Sequence, residues 1–270
     1  MGGPQEPGVN LMIANDRTIQ PIDGVAPSLS VQLFGAARIV HGPSQRGTRL
    51  PAQTLLLLAM LTTRKHELLD REEVAFTLWP DSSESEARAS LRRHLHKLHQ
   101  ALPQSARPWI VCDAQTLTWG PSDETFVDVA EFERLSETPQ TFGQAAKLYT
   151  GDFLPRLDHE WASSLRERLR RRIVHVLEQL IAQCRVNCDR SGALEYVEQL
   201  LGHDPWREDA LRDLMLLRFS AGDRAGALAY YRSFCQRLGS EFGVEPMPET
   251  VKCLEAIARG CVHPVEGMEQ

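Results

Sequence analysis

Apolar positions follow three patterns along the chain. Near the start they alternate with polar ones: Leu29, Val31 and Leu33, then Ala37 and Ile39, interrupted by Gly35 and followed by the turn signals Gly42-Pro43 and Gly47. Alternation of period two predicts short strands and a small N-terminal sheet. The period then becomes helical. Pro51, tolerated in a first turn, precedes Leu55, Leu58, Ala59 and Leu61 or Thr62, a mostly buried helix running to about Arg64. Asp70 and Glu73 have capping-box spacing ahead of Val74, Ala75, Leu78 and Trp79, and Pro80 stops that second helix. Ser83 and Glu86 repeat the signature ahead of Leu91, Leu95, Leu98 and Leu102, the most sharply patterned helix, which ends before Pro103. Trp109 to Cys112 and Thr116 to Trp119, joined by Asp113-Ala114-Gln115, read as a β-hairpin. Strands, three helices and a closing hairpin make a winged helix-turn-helix.

From Asp128 onward the strand signals vanish and helices follow one another. Arg190, Gly192, Ala193, Leu194 and Tyr196 return 34 residues later as Arg224, Gly226, Ala227, Leu228 and Tyr230. That is the period of the tetratricopeptide repeat, whose paired helices bury their apolar faces by stacking on neighbours. Asp204-Pro205 is expected to open the partner helix of the first unit. Pro246 and Pro248 would do so in the second, after a connection through Gly239 and Gly243. Gln144-Ala145-Ala146, Tyr149 and Pro155 suit an earlier, degenerate unit. The expected fold class is mainly α: a winged helix with a small β-sheet and wing hairpin, then an all-α tetratricopeptide-like domain of helical hairpins. The expected boundaries are a flexible tail over 1–28, the winged helix over 29–122, the helical array over 123–262 and a short tail over 263–270.

Composition changes this picture little. Hydrophobic residues at 42% and charged residues at 24% are those of an ordinary globular chain. No apolar run approaches a membrane span, and residues 1–30 lack the basic start and apolar block of a signal peptide, so a cytoplasmic protein without membrane contact is expected. Six cysteines without framework spacing read as reduced thiols. Charge is more informative. The net charge is -6, yet residues 31–110 carry 11 Lys and Arg against 7 Asp and Glu, a net of +4, whereas residues 111–270 carry 18 against 26, a net of -8. A basic part followed by an acidic one fits one segment that meets phosphate and another that meets something else.

On a helical wheel the third helix sets its leucines against Glu86, Ala89, Ser90, Arg93, His96 and Lys97, with Arg92 on the flank. A helix entering the major groove needs small residues near its start and Arg, Ser or Lys to meet base edges and phosphates. Arg93 is the first choice for a bidentate contact to guanine. The wing adds Arg107, Gln115 and Thr116 as candidates for the backbone or minor groove. The bland alternative is a solvated basic face on the helix and ordinary turn residues in the wing; the surrounding element order favours DNA. His94, His96 and His99 diverge around the helix and cannot converge on a metal ion. Cys184 and Cys188, four apart on an expected helix, suit buried small hydrophobes better than a thiol sensor or half a metal site. The arginine-rich run 166–172 suits a face of local ion pairs better than an anion site. No nucleophile elbow, carboxylate pair or glycine-rich phosphate loop stands out, so neither an enzyme nor a cofactor is expected.

Several short motifs stand in a distinctive order: Val31-Gln-Leu-Phe-Gly35, Leu78-Trp79-Pro80, Ala89-Ser-Leu-Arg-Arg-His-Leu-His-Lys-Leu98, Tyr149-Thr-Gly-Asp-Phe-Leu-Pro155, Trp161 with Arg166-Glu-Arg-Leu169, Asp204-Pro-Trp-Arg-Glu208 and Glu241-Phe-Gly-Val-Glu-Pro246. Together, over roughly residues 29–259, the chain resembles activators of the Streptomyces antibiotic regulatory protein family, an OmpR-like winged helix followed by a bacterial transcriptional activator domain. The resemblance implies double-stranded promoter DNA as partner, pairing of protomers on direct repeats, activation of transcription and contact with the sigma or alpha subunit of RNA polymerase. Larger members add an NTPase region; no Walker-type glycine-rich loop is present, so ATP dependence is not implied. A histidine-rich recognition helix departs from the pattern, and the preferred DNA sequence does not carry over. Two other readings remain at this stage: a helical-repeat adaptor whose winged helix binds protein, and a regulator gated by a small molecule.

Overall fold

The computed structural model describes residues 29–41, 50–104, 108–120 and 125–260. The expected tails, Gly42-Pro43, Gly47 and Arg107 lie outside the described residues. Two three-stranded sheets and three helices form the N-terminal part. Strands β1 (Leu29–Gln32) and β2 (Arg38–His41) pair antiparallel, and β6 (Thr125–Val127) adds to the other side of β1 in parallel. The second sheet places β5 (Thr116–Trp119) between β3 (Leu69–Asp70) and β4 (Ile110–Cys112). The helices are α1 (Ala52–Thr63), α2 (Arg71–Leu78) and α3 (Glu84–Ala101). Neither the two-residue β3 nor β6 is visible as an alternating pattern in the sequence, because each is too short to show one.

Local chemistry explains the helix boundaries. Asp70 caps α2 by accepting from the Glu72 and Glu73 amides at 2.7 and 2.9 Å. Glu73 does not complete the expected box; its carboxylate turns instead to Arg64 at 3.2 Å. At α3 the reciprocal contact forms, with the Glu86 carboxylate accepting from the Ser83 N–H at 3.0 Å and its hydroxyl at 2.6 Å. Leu91, Leu95, Leu98 and Leu102 are buried as their spacing predicts.

The rest of the described chain is helical: α4 (Asp128–Leu135), a 3-10 turn (Pro139–Thr141), α5 (Phe142–Leu148), α6 (Glu160–Val186), α7 (Arg190–His203), α8 (Glu208–Ser220), α9 (Arg224–Phe242) and α10 (Pro248–Arg259). The 34-residue repeat has a physical counterpart. Asp189 accepts from the Gly192 amide at 2.9 Å to start α7, and Asp223 accepts from the Gly226 amide at 2.8 Å to start α9. A Cβ on either glycine would fall 2.4 or 2.0 Å from the capping carboxylate, so a side chain there would make the carboxylate shift. The partner helices differ from expectation. Asp204-Pro205 belongs to the turn after α7, where the Asp204 carboxylate accepts from the Trp206 amide at 3.3 Å, and α8 starts later, at Glu208. Gly239 lies within α9, which ends at Gly243 with φ 67°, while Pro248 opens α10 as expected. Cys188 stands beyond the end of α6 at φ 55° and is exposed, so it shares no helix face with the buried Cys184.

One hydrophobic core runs from Leu29 to Leu214, so the winged helix and the first helices of the array are packed as one body. The seam is made of backbone as well as side chains. The Leu33 amide donates to both carboxylate oxygens of Asp128 at 2.9 and 2.8 Å, the Phe34 amide donates at 3.0 Å, and the Val129 amide at 2.8 Å. Gly35 donates to the Asp152 carbonyl at 2.9 Å, Leu154 donates to the Leu33 carbonyl at 3.0 Å, and Phe34 bridges to Phe153. The Phe34 ring packs on Phe132 and Tyr149, with centroids 5.4 and 4.6 Å away. Three of the five arginines of residues 166–172 reach other elements rather than forming local ion pairs within α6. Arg166 donates to the Phe153, Leu154 and Leu157 carbonyls at 2.7 to 2.8 Å, Arg168 pairs with Glu133, and Arg170 pairs with Asp152.

Burial pushes the Asp128 carboxyl up to about 6, against the opposing pull of the amides that donate to it. Its stabilising contribution is therefore greatest in acid and is lost as the pH rises through about 6. Two outcomes are expected in thermal and urea unfolding. Asp128→Ala orphans the buried Leu33 and Phe34 amides and lowers stability by roughly 2 to 4 kcal/mol. Relative to Asp128→Asn, the parent gains about 1 kcal/mol between roughly pH 7.5 and pH 5.5. A flat difference across that range would show that the carboxyl does not titrate there.

Candidate nucleic-acid interface

Helix α3 is held from behind by its leucines and by one polar anchor. The His94 Nδ1 lies 2.8 Å from the Thr54 hydroxyl of α1, and the imidazole stacks on Trp79 with centroids 5.4 Å apart. Burial first, then the charges of Lys97 and Arg93, push the His94 pKa below the ordinary 6.5, so this ring is neutral near pH 7. The sequence gives little sign of this anchor, except that Thr54 is a polar residue directly before four consecutive leucines.

The opposite face is open. Ala89, Arg92, Arg93, His96 and Lys97 are exposed, and among the described residues no salt bridge engages Arg92, Arg93 or Lys97. His96 and Gln100 meet at 3.0 Å along the helix. Two expected contacts are placed differently. Ser90 is buried, 9% exposed, and its hydroxyl accepts from the Arg93 guanidinium at 3.0 Å. It therefore orients Arg93 instead of presenting itself, because its position on the wheel falls next to the packed side and not opposite it. Glu86 is exposed, but its carboxylate is spent on Ser83, which holds its pKa below the ordinary value. Arg88, not singled out by the pattern, pairs with Glu72 at 2.9 Å and Glu84 at 3.1 Å and lies 5.8 Å from the Phe76 ring, tying α3 to α2. The basic surface thus begins beyond the first turn, whose acidic residues suit the helix dipole.

The hairpin of β4 and β5 is closed by Asp113, which accepts from the Gln115 and Thr116 amides at 2.7 and 2.6 Å and from the Thr116 hydroxyl at 2.8 Å. Those bonds hold the Asp113 carboxyl below the usual range. Thr116 is therefore committed to the turn. Gln115 is exposed, and its carbonyl accepts from the Arg71 amide at 2.8 Å, which fixes the wing against the start of α2. Among the described residues, no three metal-binding side chains converge and no helix is long and apolar enough to cross a membrane.

The helical array can be placed by comparison. Residues 127–258 match the family model of the bacterial transcriptional activator domain. Regulatory protein AfsR of Streptomyces griseus is 24% identical over 262 residues, 93% of this chain. Transcriptional regulatory protein MoaR1 of Mycobacterium tuberculosis is 23% identical over 252 residues, 84% of this chain and 80% of its own length. Residues 127–258 are thus a bacterial transcriptional activator domain, and the chain is similar to the Streptomyces antibiotic regulatory proteins. The relatives it matches are named as regulatory proteins, MoaR1 as a regulator of transcription. The chain spans only 27% of the length of the AfsR relative, so that protein shares one part with it. The fold is also that of Mycobacterium tuberculosis EmbR, solved in complex with a low-affinity phosphopeptide, at TM-score 0.60 and 18% identity over 90% of this chain and 67% of that one.

Placement of α3 rests on the His94 anchor, which NMR can read directly. The His94 imidazole is expected to titrate below 6.5, and Thr54→Val, which removes its partner, is expected to lower stability by about 1 kcal/mol without unfolding the chain. A His94 titrating at or above the ordinary value would mean that the ring is in solvent and that α3 sits differently.

Proposed function

We propose that the chain is a sequence-specific DNA-binding activator that acts in the cytoplasm on double-stranded promoter DNA, without enzymatic activity of its own. The observation that carries this reading is the exposed face of α3. Arg92, Arg93 and Lys97 stand there without acidic partners among the described residues, on a helix whose other face is locked into the core. Charges left uncompensated on a rigid element are what phosphate and base edges require. Arg93, steadied by Ser90, reads a guanine; Arg92, Lys97 and His96 meet the backbone, and Ala89 lets the helix approach. Gln115 of the wing reaches the flanking backbone, and Arg107 completes the wing contact. Ser90 and Thr116 act by positioning, and Glu86 by capping.

Likeness to that family supports the remainder: pairing of protomers on direct repeats, and contact with RNA polymerase through the sigma or alpha subunit. Expected domain limits of 29–122 and 123–262 remain our division by function, although β6 on the C-terminal side of that boundary pairs with β1 on the other.

The test is anisotropy with DNA fragments from upstream of the gene, at two salt concentrations. Saturable, sequence-selective binding is expected. Arg93→Ala should lose roughly 1 to 3 kcal/mol of specific affinity, whereas Lys97→Ala should weaken all sequences alike and reduce the salt slope by about 1. Binding that is weak and erased by salt for every fragment would overturn the DNA reading; selective binding unchanged in Arg93→Ala would overturn the assignment of the base contact.

A further inference from the structure

Two motifs, Asp204-Pro-Trp-Arg-Glu208 and Glu241-Phe-Gly-Val-Glu-Pro246, take no part in the α3 surface. The structure brings them together at one end of the array. The Trp206 and Phe242 rings meet edge to face, with centroids 4.8 Å apart and planes at 79°. Glu208 fastens the segment after α9 to the start of α8: its carboxylate accepts from the Met247 amide at 2.8 Å and from the Thr250 hydroxyl at 2.5 Å. Thr250 in turn accepts from Arg212 at 3.0 Å. The link between α9 and α10 is therefore held in place.

Its apolar side chains nevertheless face water. Phe242 is 55% exposed, Val244 52%, Met247 58% and Trp206 36%. None of them belongs to the small core beneath, formed by Leu211, Met215, Ala227, Phe234, Leu238 and Ile257. Exposed side chains of this size contribute little to folding, and several of them gathered on one short ordered link mark an interaction site. Aromatic residues and methionine are the types enriched at interface centres, and a surface ordered beforehand loses less entropy on binding.

Charge identifies the occupant. Glu241, Glu245 and Glu249 are all exposed along the same stretch, and residues 240–251 contain no lysine or arginine; Lys252 follows directly, and Arg212 is engaged by Thr250. This rim repels nucleic acid and attracts cations. We infer that the patch docks a basic amphipathic segment of a partner protein. Such a segment lays apolar residues over Trp206, Phe242, Val244 and Met247 and points Lys or Arg at the three glutamates. A second copy of this chain does not offer that combination on α3, whose charges are exposed but whose leucine stripe is buried.

The probe is a fluorescently labelled helical peptide of leucine and lysine with one apolar face, compared with a lysine and serine peptide of equal length and charge. Both are titrated onto the full chain at low and raised salt. The leucine-bearing peptide is expected to bind saturably and more tightly than the polar one. Phe242→Ser combined with Met247→Ser should weaken it about tenfold or more. Glu241→Gln with Glu245→Gln should weaken it less and flatten its salt dependence. Circular dichroism melting checks that both variants fold; should the serine pair melt early, Val244→Ser alone carries the apolar test. Equal binding of the two peptides, or undiminished binding by the folded serine variant, overturns the inference. So does sedimentation showing a dimer of the parent that the serine variant cannot form, since the occupant is then a second copy.

Discussion

A carboxylate held away from water where the winged helix meets the helical array is the constraint on which this architecture rests. Removing an ionised group from solvent costs several kcal/mol unless donors replace the lost water. Around Asp128 the donors are backbone amides of Leu33, Phe34 and Val129, from two parts of the chain 95 residues apart. The same residue begins α4 and follows β6, so the strand pairing, the helix start and the bend of the chain after β1 share one point. Once these amides are engaged, Phe34 is directed onto Phe132 and Tyr149, and Gly35 at φ 65° brings its amide to the Asp152 carbonyl. The positive φ of Gly35 and the approach of Gly151, whose added Cβ would stand 3.3 Å from the Gly35 Cα, explain why the two glycines lie in the motifs that face each other.

The array continues from this seam with falling burial. Helix α6 buries nine residues along its length, whereas α9, with 19 residues, buries three. Among the described residues the last hairpin has a neighbour on one side only, so its outer face must either be polar or be covered by something else. Most of α9 takes the first course. The link to α10 does not: Arg212, Glu208 and Thr250 spend polar contacts to keep an exposed apolar surface in place.

The sequence revealed what has a period. Leucines at helical spacing in α3, the alternating hairpin of β4 and β5, and the 34-residue recurrence of Arg, Gly, Ala and Leu are repeated signals, and each repetition tests the one before. Single contacts have no such redundancy. Nothing local distinguishes Asp128 from any helix-starting aspartate, because its partners lie far away in the chain. Glu73 has the spacing of a capping residue, yet Arg64 outcompetes that role through space. Arg166, Arg168 and Arg170 look like a surface face, because their acceptors are carbonyls and acids on other elements. On α3 the wheel separated packed from open sides but misplaced Ser90, which falls at the margin where neighbouring helices decide burial.

The parallel pairing of β6 with β1 bears on how such regulators are assembled from parts. Cutting after β5 yields a winged helix whose first strand has lost a neighbour and whose Leu33 and Phe34 amides have lost their acceptor. The unit that can pass intact from one regulator to another therefore extends past the wing through α4 and takes the Gly151 loop with it. A graft that respects only the DNA-facing fold exposes an unpaired strand edge and a fresh apolar surface, the conditions that favour aggregation. Hydrogen bonding at the junction thus couples the folding of the two halves.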